Sequence, residues 1–250
     1  KYTAAVHQSW NRIKKVDDVF EKKLLQSLGE GLLSFLTSLD PSGKRIIVKT
    51  PSVENLQNFY DLFPDCVLLI LVRDGRAVVE SGMKGFGWNF EKATRSWVHA
   101  ARSILEFDRV TKNTGHRYLI VRYEDLVTDL EKEMRRVLNF LGLDQASYDF
   151  QAAVHLPVKG SSLFRGTKDH VHWQPLEKKS EFKPLDRWEH WSPFRLGRFN
   201  WIAGQYLSSF GYQKRTGKES PSGIWNRVLD LIWEGRQRLS RLLFRVRIFF

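Results

Sequence analysis

Cysteine is almost missing from these 250 residues. Cys66 stands alone, so no intramolecular disulfide can form and no thiol cluster exists for a structural zinc site or an iron–sulfur centre. The sequence has no Asn-x-Ser/Thr sequon, no signal-peptide pattern and no apolar run of about 18 residues, so nothing in it marks secretion or membrane spanning. No stretch is dominated by proline, glycine and serine, which excludes collagen-like, linker-like and low-complexity readings. Gly-x-x-x-x-Gly-Lys-Ser/Thr is also absent, which disfavours a phosphate-loop nucleotide kinase. Without helix-turn-helix, zinc-finger or aromatic RNA-binding signatures, specific nucleic-acid binding is disfavoured too.

What is present belongs to a folded chain. Hydrophobic residues make up 42% of the sequence, ample for a core, and the length fits one large domain or two small ones at about 100 to 200 residues each. The formal net charge is +12. From Lys214 onward there are nine Lys/Arg against three Asp/Glu, so half of the excess lies in the last 37 residues. The body is therefore only moderately basic, which leaves room for an anionic small-molecule ligand.

Apolar residues at helical spacing from Val16 to Leu36 predict one or two helices. After the turn cluster Asp40-Pro41-Ser42-Gly43, the β-branched run Ile46-Ile47-Val48 predicts a short strand. Ser52 is then expected to cap a helix through Leu62. The continuous apolar run Val67 to Val72 predicts a strand buried on both faces. A helix from about Arg76 to Met83 follows, then a longer one capped by Asn89, a strand at Tyr118–Val121, and a helix ended by Gly142. Strands alternating with helices imply a parallel sheet flanked by helices, so the fold class is α/β. From His155 to Lys183 the pattern is irregular and polar, long enough to suggest a functional loop. Helical spacing resumes at Trp188 to Trp191 and at Phe194 to Phe210, where Trp188, Trp191 and Trp201 are expected in the core.

The chemistry concentrates where Val72 leads into Arg73-Asp74-Gly75-Arg76 and then Ser81. A buried strand ending in a tight turn places Arg73 at the carboxyl edge of the sheet, where open α/β sheets bind ligands. A guanidinium and a hydroxyl there can hold a phosphate. This stretch resembles the 3′-phosphate-binding segment of sulfotransferases that use 3′-phosphoadenosine 5′-phosphosulfate (PAPS), in which Arg-Asp-Pro-Arg follows a strand and a Ser follows on a helix. Two more segments stand in that family's order. Ile46-Ile47-Val48-Lys49-Thr50-Pro51 is similar to its strand ending in Lys-Thr. Arg122-Tyr123-Glu124-Asp125-Leu126, with Phe140-Leu141-Gly142-Leu143 after it, is similar to its RYEDL and FLGL signature. The likeness runs on through Leu156–Ser162 and Phe182–Trp188 to Phe210-Gly211-Tyr212, covering residues 45–212.

The resemblance implies a P-loop-NTPase-like three-layer sandwich over residues 1–213, and the residue pattern of 214–250 predicts a linker and a basic amphipathic helix. It implies that Arg73 and Ser81 hold the cofactor's 3′-phosphate and that Lys49 sits beside the transferring sulfuryl group, where a cation stabilises developing charge. Lys159, Ser161, Ser162, Arg165 and Gly166 would lie in a loop closing over the nucleotide, whereas Tyr123, Glu124 and Asp125 would fix a strand-to-helix corner. PAPS is the expected donor and 3′,5′-adenosine bisphosphate the expected product, with no metal. Two departures stand out. The family's strand, Gly/Ser/Thr-rich loop and helix for the 5′-phosphosulfate has no match, and the chain starts at Lys1, so an N-terminally incomplete enzyme that binds the whole cofactor poorly is expected. The base that takes the acceptor's proton is also displaced, since Pro51 follows the Lys-Thr pair. Glu54 is within reach one helical turn on, His99 and His155 are further candidates, and relatives with a Glu after the phosphate loop would carry the base in the missing segment.

His170 and His172 lack a third ligand at useful spacing and predict a solvated loop. Residues 224–250 interleave six arginines with Trp, Leu, Ile and Phe. Such a helix either covers the domain's own apolar surface or meets a membrane surface or a partner. The acceptor stays open between small molecule, carbohydrate, lipid and peptide. A non-catalytic nucleotide- or polyanion-binding module is the competing function. The lack of sequons and disulfides points to the cytoplasm, or to the Golgi lumen if an N-terminal anchor precedes the chain.

Overall fold

The computed structural model describes residues 18–39, 42–43, 45–50, 52–156, 184–215 and 221–248, with side chains described as far as residue 240 in the last stretch. In chain order the elements are α1 (Asp18–Leu39), α2 (Asn58–Leu62), β1 (Val67–Val72), α3 (Gly75–Phe86), α4 (Phe90–Thr111), β2 (Arg117–Arg122), α5 (Tyr123–Thr128), α6 (Leu130–Leu141), α7 (Phe150–Val154), α8 (Pro193–Ser209) and α9 (Gly223–Ile248). β1 and β2 pair as a parallel two-stranded sheet flanked by helices. The helices between them supply the crossover that parallel pairing needs, and the class is α/β as expected.

The chain forms two compact units, Lys1–Ile70 with Ala100–Ile120 and Leu71–His99 with Val121–Phe250. In the first unit, a Cβ on the buried Gly29 of α1 would stand 1.8 Å from the Leu62 carbonyl oxygen. Only glycine lets the end of α2 lie that close. Tyr60 is buried, stacks on His116 with centroids 4.0 Å apart, and donates its hydroxyl to the Arg117 carbonyl at 3.0 Å. Burial pushes the Tyr60 phenol up to about 12, and burial together with the Asp108 hydrogen bond and charge does the same to Tyr118.

Two expectations for this unit are corrected. Residues 45–50 carry no strand, and Ile47 is 91% exposed. Strand propensity is realised only against a neighbouring ladder, and among the described residues the sheet consists of β1 and β2. Ser52 does not open a helix. Its hydroxyl accepts from the Glu54 N–H at 3.1 Å in a local turn, Asn55 takes a left-handed φ of 55°, and the helix begins at Asn58.

In the second unit the helix boundaries follow capping chemistry. Asp74 caps α3 by accepting from the Arg76 N–H, Asn89 accepts from the Lys92 N–H at 3.1 Å, and Asp129 caps α6. Gly142 ends α6 in the left-handed region, and Ser192 with Pro193 opens α8. Val79, Phe199 and Leu207 are fully buried, with the indoles of Trp97 and Trp191 packed against Phe199. Trp188 and Trp191 are in the core as expected. Trp201 is not: it is half-exposed and donates Nε1 to Asp230 at 2.8 Å.

Candidate functional site

The site is built in the second unit, where β1 ends. Arg73 leaves the strand half-buried, and three constraints fix it. The Trp97 indole donates Nε1 to the Arg73 carbonyl at 3.2 Å, Arg73 Nη2 donates to the Pro184 carbonyl at 2.5 Å, and the guanidinium lies 4.5 Å from the Tyr123 ring centroid. Its Nε remains buried with no hydrogen-bond partner. The next residue, Asp74, is buried and accepts from Arg76 through both oxygens, at 3.0 Å from Nε and 2.6 Å from Nη2. Arg76 in turn stacks 3.8 Å from the Trp188 ring centroid.

Gly75 departs from the proline of the resembled family pattern, and the structure shows why the residue must be small. A Cβ there would stand 2.5 Å from the Trp97 indole, so this turn is shaped around a tryptophan.

Glu124 ties the turn to the end of β2. One carboxylate oxygen accepts the Asp74 N–H at 3.0 Å and the other accepts the Tyr212 hydroxyl at 2.6 Å. Burial raises the Tyr212 phenol, and the Glu124 bond raises it further.

Arg187 is the residue that sequence reasoning missed, and Tyr123 the one it assigned to a structural corner. Burial pushes the Arg187 guanidinium below the usual arginine value, the Arg73 charge pushes it lower, and Tyr123 opposes both. The Arg73 charge is thus felt at Arg187. Asp74 is engaged by Arg76, and Glu124 by the Asp74 N–H and the Tyr212 hydroxyl. Among the described residues four buried donors have no acceptor: Arg73 Nε, Arg76 Nη1, Arg122 Nε and Trp188 Nε1. All four are N–H groups, and buried donors left unpaired are costly and point to an acceptor. A cationic cluster with orphaned donors suits an anion with several acceptor oxygens. Arg187 lies in the matched Phe182–Trp188 segment, and an arginine beside a core tryptophan was the signal available.

Ser81 is half-buried on α3, about 9 Å along the helix axis from Gly75. Glu80 before it is buried, accepts from Trp191 Nε1 at 2.6 Å, and pairs with Lys84 at 2.8 Å and His190 at 3.2 Å. Burial alone would raise this carboxyl, but the Lys84 and Trp191 hydrogen bonds and the Lys84 and His190 charges hold it below its ordinary value.

Lys49 and Glu54 belong to the first unit and are exposed, as are His99 and His155 in the second. Lys159, Ser161, Ser162, Arg165, Gly166, His170 and His172, with Pro51 and the 217–220 part of the predicted linker, lie outside the described residues. Among the described residues no group of His, Cys, Asp and Glu could hold a metal ion.

Comparison with known proteins bears on the family and the fold. The family model described as "Sulfotransferase family" matches residues 2–147. The chain is similar to "Protein-tyrosine sulfotransferase A" of Caenorhabditis elegans, 27% identical over 144 residues that make up 54% of this chain and 37% of that protein. It is also similar to "Protein-tyrosine sulfotransferase" of Drosophila melanogaster, 36% identical over 89 residues, 32% of this chain and 17% of that protein. The chain therefore spans well under half the length of these relatives. Among solved structures, the "Sulfotransferase Domain from the Curacin Biosynthetic Pathway" superposes with a TM-score of 0.51 at 17% identity, covering 83% of this chain and 78% of that one, and so shares the fold.

Proposed function

The chain belongs to the sulfotransferase family, and from that premise we propose that it binds PAPS and transfers the sulfuryl group to the hydroxyl of a protein or peptide tyrosine. The observation that carries the donor half is Arg73 at the end of β1, its guanidinium 4.5 Å from the Tyr123 ring centroid and its Nε buried and unpartnered; the lowering of the Arg187 guanidinium by the Arg73 charge supports a second cation there. Arg73 and Arg187 neutralise the 3′-phosphate, and Ser81 adds a hydroxyl donor to it. Lys159, Ser161, Ser162, Arg165 and Gly166 are proposed as nucleotide-loop contacts on the resemblance alone.

Lys49 takes the role that the resemblance implies, and Glu54, one candidate base beside His99 and His155, is proposed as the base in place of the family's His. The tyrosine oxygen bonds to sulfur as the bridging oxygen–sulfur bond breaks, and 3′,5′-adenosine bisphosphate leaves with the bond's electron pair. The Lys49 ammonium neutralises charge gathering on the bridging oxygen. The Glu54 carboxylate takes the phenolic proton. Support for a tyrosine acceptor comes from the two relatives, both protein-tyrosine sulfotransferases by name.

The test is transfer of radiolabelled sulfate from PAPS to a tyrosine-containing peptide, with its phenylalanine counterpart and a sugar alcohol as controls. Label confined to the tyrosine peptide and lost in Lys49→Ala supports the proposal. Label on the sugar instead overturns the acceptor, and nucleotide binding with no transfer to any acceptor favours a binding module.

A further inference from the structure

Helix α9 is fastened to its own unit by one stripe, and its apolar face lies on the other side. On the inner face Asn226 is buried, and its backbone and side-chain oxygens accept from Arg198 Nη1 at 3.0 and 3.2 Å. Asp230 pairs with Arg198 at 2.7 Å and Arg95 at 2.5 Å, and Arg95 lies 5.4 Å from the Trp233 ring centroid. Residues 226, 230, 233 and 237 form one stripe at helical spacing.

The opposite face points outward. Ile224, Val228, Leu231 and Leu239 are 78, 37, 69 and 58% exposed, and Trp225 and Ile232 beside them are also exposed. A helix that only covers its own domain keeps that side polar. Here the apolar stripe is bordered by exposed Arg227, Arg236 and Arg238. Asp230 is consumed on the inner face, so Glu234 is the exposed acid among the described side chains of the helix. The sequence adds arginine at 241, 245 and 247 and has no acid after Glu234.

We propose that the outward face of α9 docks the protein on an anionic membrane surface. The apolar stripe enters the boundary between headgroups and acyl chains, and the arginines pair with lipid phosphates and carboxylates. Charge selects this occupant. A second copy of the chain would set one arginine rim against another, whereas an anionic lipid surface neutralises it. No described helix is long and apolar enough to cross a membrane, so α9 lies in the interface plane while its inner face stays fastened.

The experiment is flotation of the full 250-residue chain with vesicles of phosphatidylcholine alone or with added phosphatidylserine, at low and high salt. The chain should float with the anionic vesicles, remain behind with neutral ones and be released by salt. Leu231→Glu/Leu239→Glu removes the apolar stripe and should abolish flotation with an unchanged thermal midpoint, since both side chains are exposed. Arg236→Glu/Arg238→Glu keeps the stripe and should lower partitioning by more than about tenfold, each basic residue near such a surface contributing roughly a factor of five. Equal flotation with neutral vesicles, no flotation at low salt, or full flotation of both variants overturns the proposal. So does a dimer in solution that Leu231→Glu/Leu239→Glu converts to monomer, which would assign the face to a second copy.

Discussion

Glu124 accepts the backbone N–H of Asp74 at 3.0 Å, so the corner after β2 holds the turn after β1. Its other oxygen accepts the Tyr212 hydroxyl, and through this one carboxylate the turn next to Arg73 is fixed from two distant points of the sequence.

Tyr212→Phe should cost about 0.5–1.5 kcal/mol, a single hydrogen bond, and Glu124→Ala about 1–3 kcal/mol, because it strands the Asp74 N–H. The double variant should lose less than the sum, since both changes remove the same bond. Urea unfolding of the four proteins checks this, and strict additivity would show that the bond contributes nothing.

Gly75→Ala should destabilise the protein by about 1–3 kcal/mol through overpacking against the Trp97 indole. Pairing it with Trp97→Leu should recover part of the loss. Thermal unfolding of the single and double variants decides, and an unaffected single variant would mean that the indole moves aside at no cost.

The two arginines that meet Asp230 should differ in worth. Both also pair with Glu91, but the Arg198 side chain is 3% exposed and that of Arg95 is 32% exposed. Arg198→Ala leaves Glu91 and Asp230 with the more exposed Arg95 as their cation, strips the Asn226 oxygens of their buried donor and should cost about 2–4 kcal/mol; Arg95→Ala should cost less than about 1 kcal/mol. Equal effects in denaturant unfolding would contradict this network.

Much of this fold was legible because local chemistry decided it. The apolar run at 67–72, the cap at Asn89 and the glycine stop at 142 needed no tertiary partner to be read. The strand expected at 46–48 failed because strand formation depends on a neighbouring ladder, which one segment's composition does not reveal. The helix expected from Ser52 failed on the left-handed Asn55, a backbone choice that propensity does not forecast. At the site, Arg73 was legible from its place after an apolar strand, although β1 is not buried on both faces as expected: Ile70 and Val72 are buried, whereas Leu69 and Leu71 are exposed. Arg187 was not, because its role comes from lying near Arg73, more than a hundred residues away in sequence. Trp201 at core spacing turned out half-exposed, since its periodicity also fits the face that reaches Asp230.

Acid should unfold the protein partly through Glu80 and Asp230. Burial alone would raise both carboxyls, yet Lys84 and Trp191 around Glu80, and Trp201, Arg198 and Arg95 around Asp230, bring them below their ordinary values. A depressed folded-state value gives stability that is fully present above the unfolded values, about 4.3 for Glu and 3.9 for Asp, and lost as pH falls through the folded ones. Glu80→Gln should therefore be less stable than wild type at neutral pH, with the difference shrinking in acid. Urea titrations at a series of pH values test this, and a difference that grows in acid would reverse the sign.

The most direct test of the central claim is isothermal titration of the chain with 3′,5′-adenosine bisphosphate, repeated with Arg73→Ala, Arg187→Ala and, as a control on the exposed face of α6, Arg135→Ala. Each site variant should weaken binding by about 1.5–3 kcal/mol, the worth of hydrogen bonds to a charged group, while Arg135→Ala binds as wild type does. Unchanged affinity in both site variants, or equal loss in all three, would contradict an anion site built on Arg73 and Arg187.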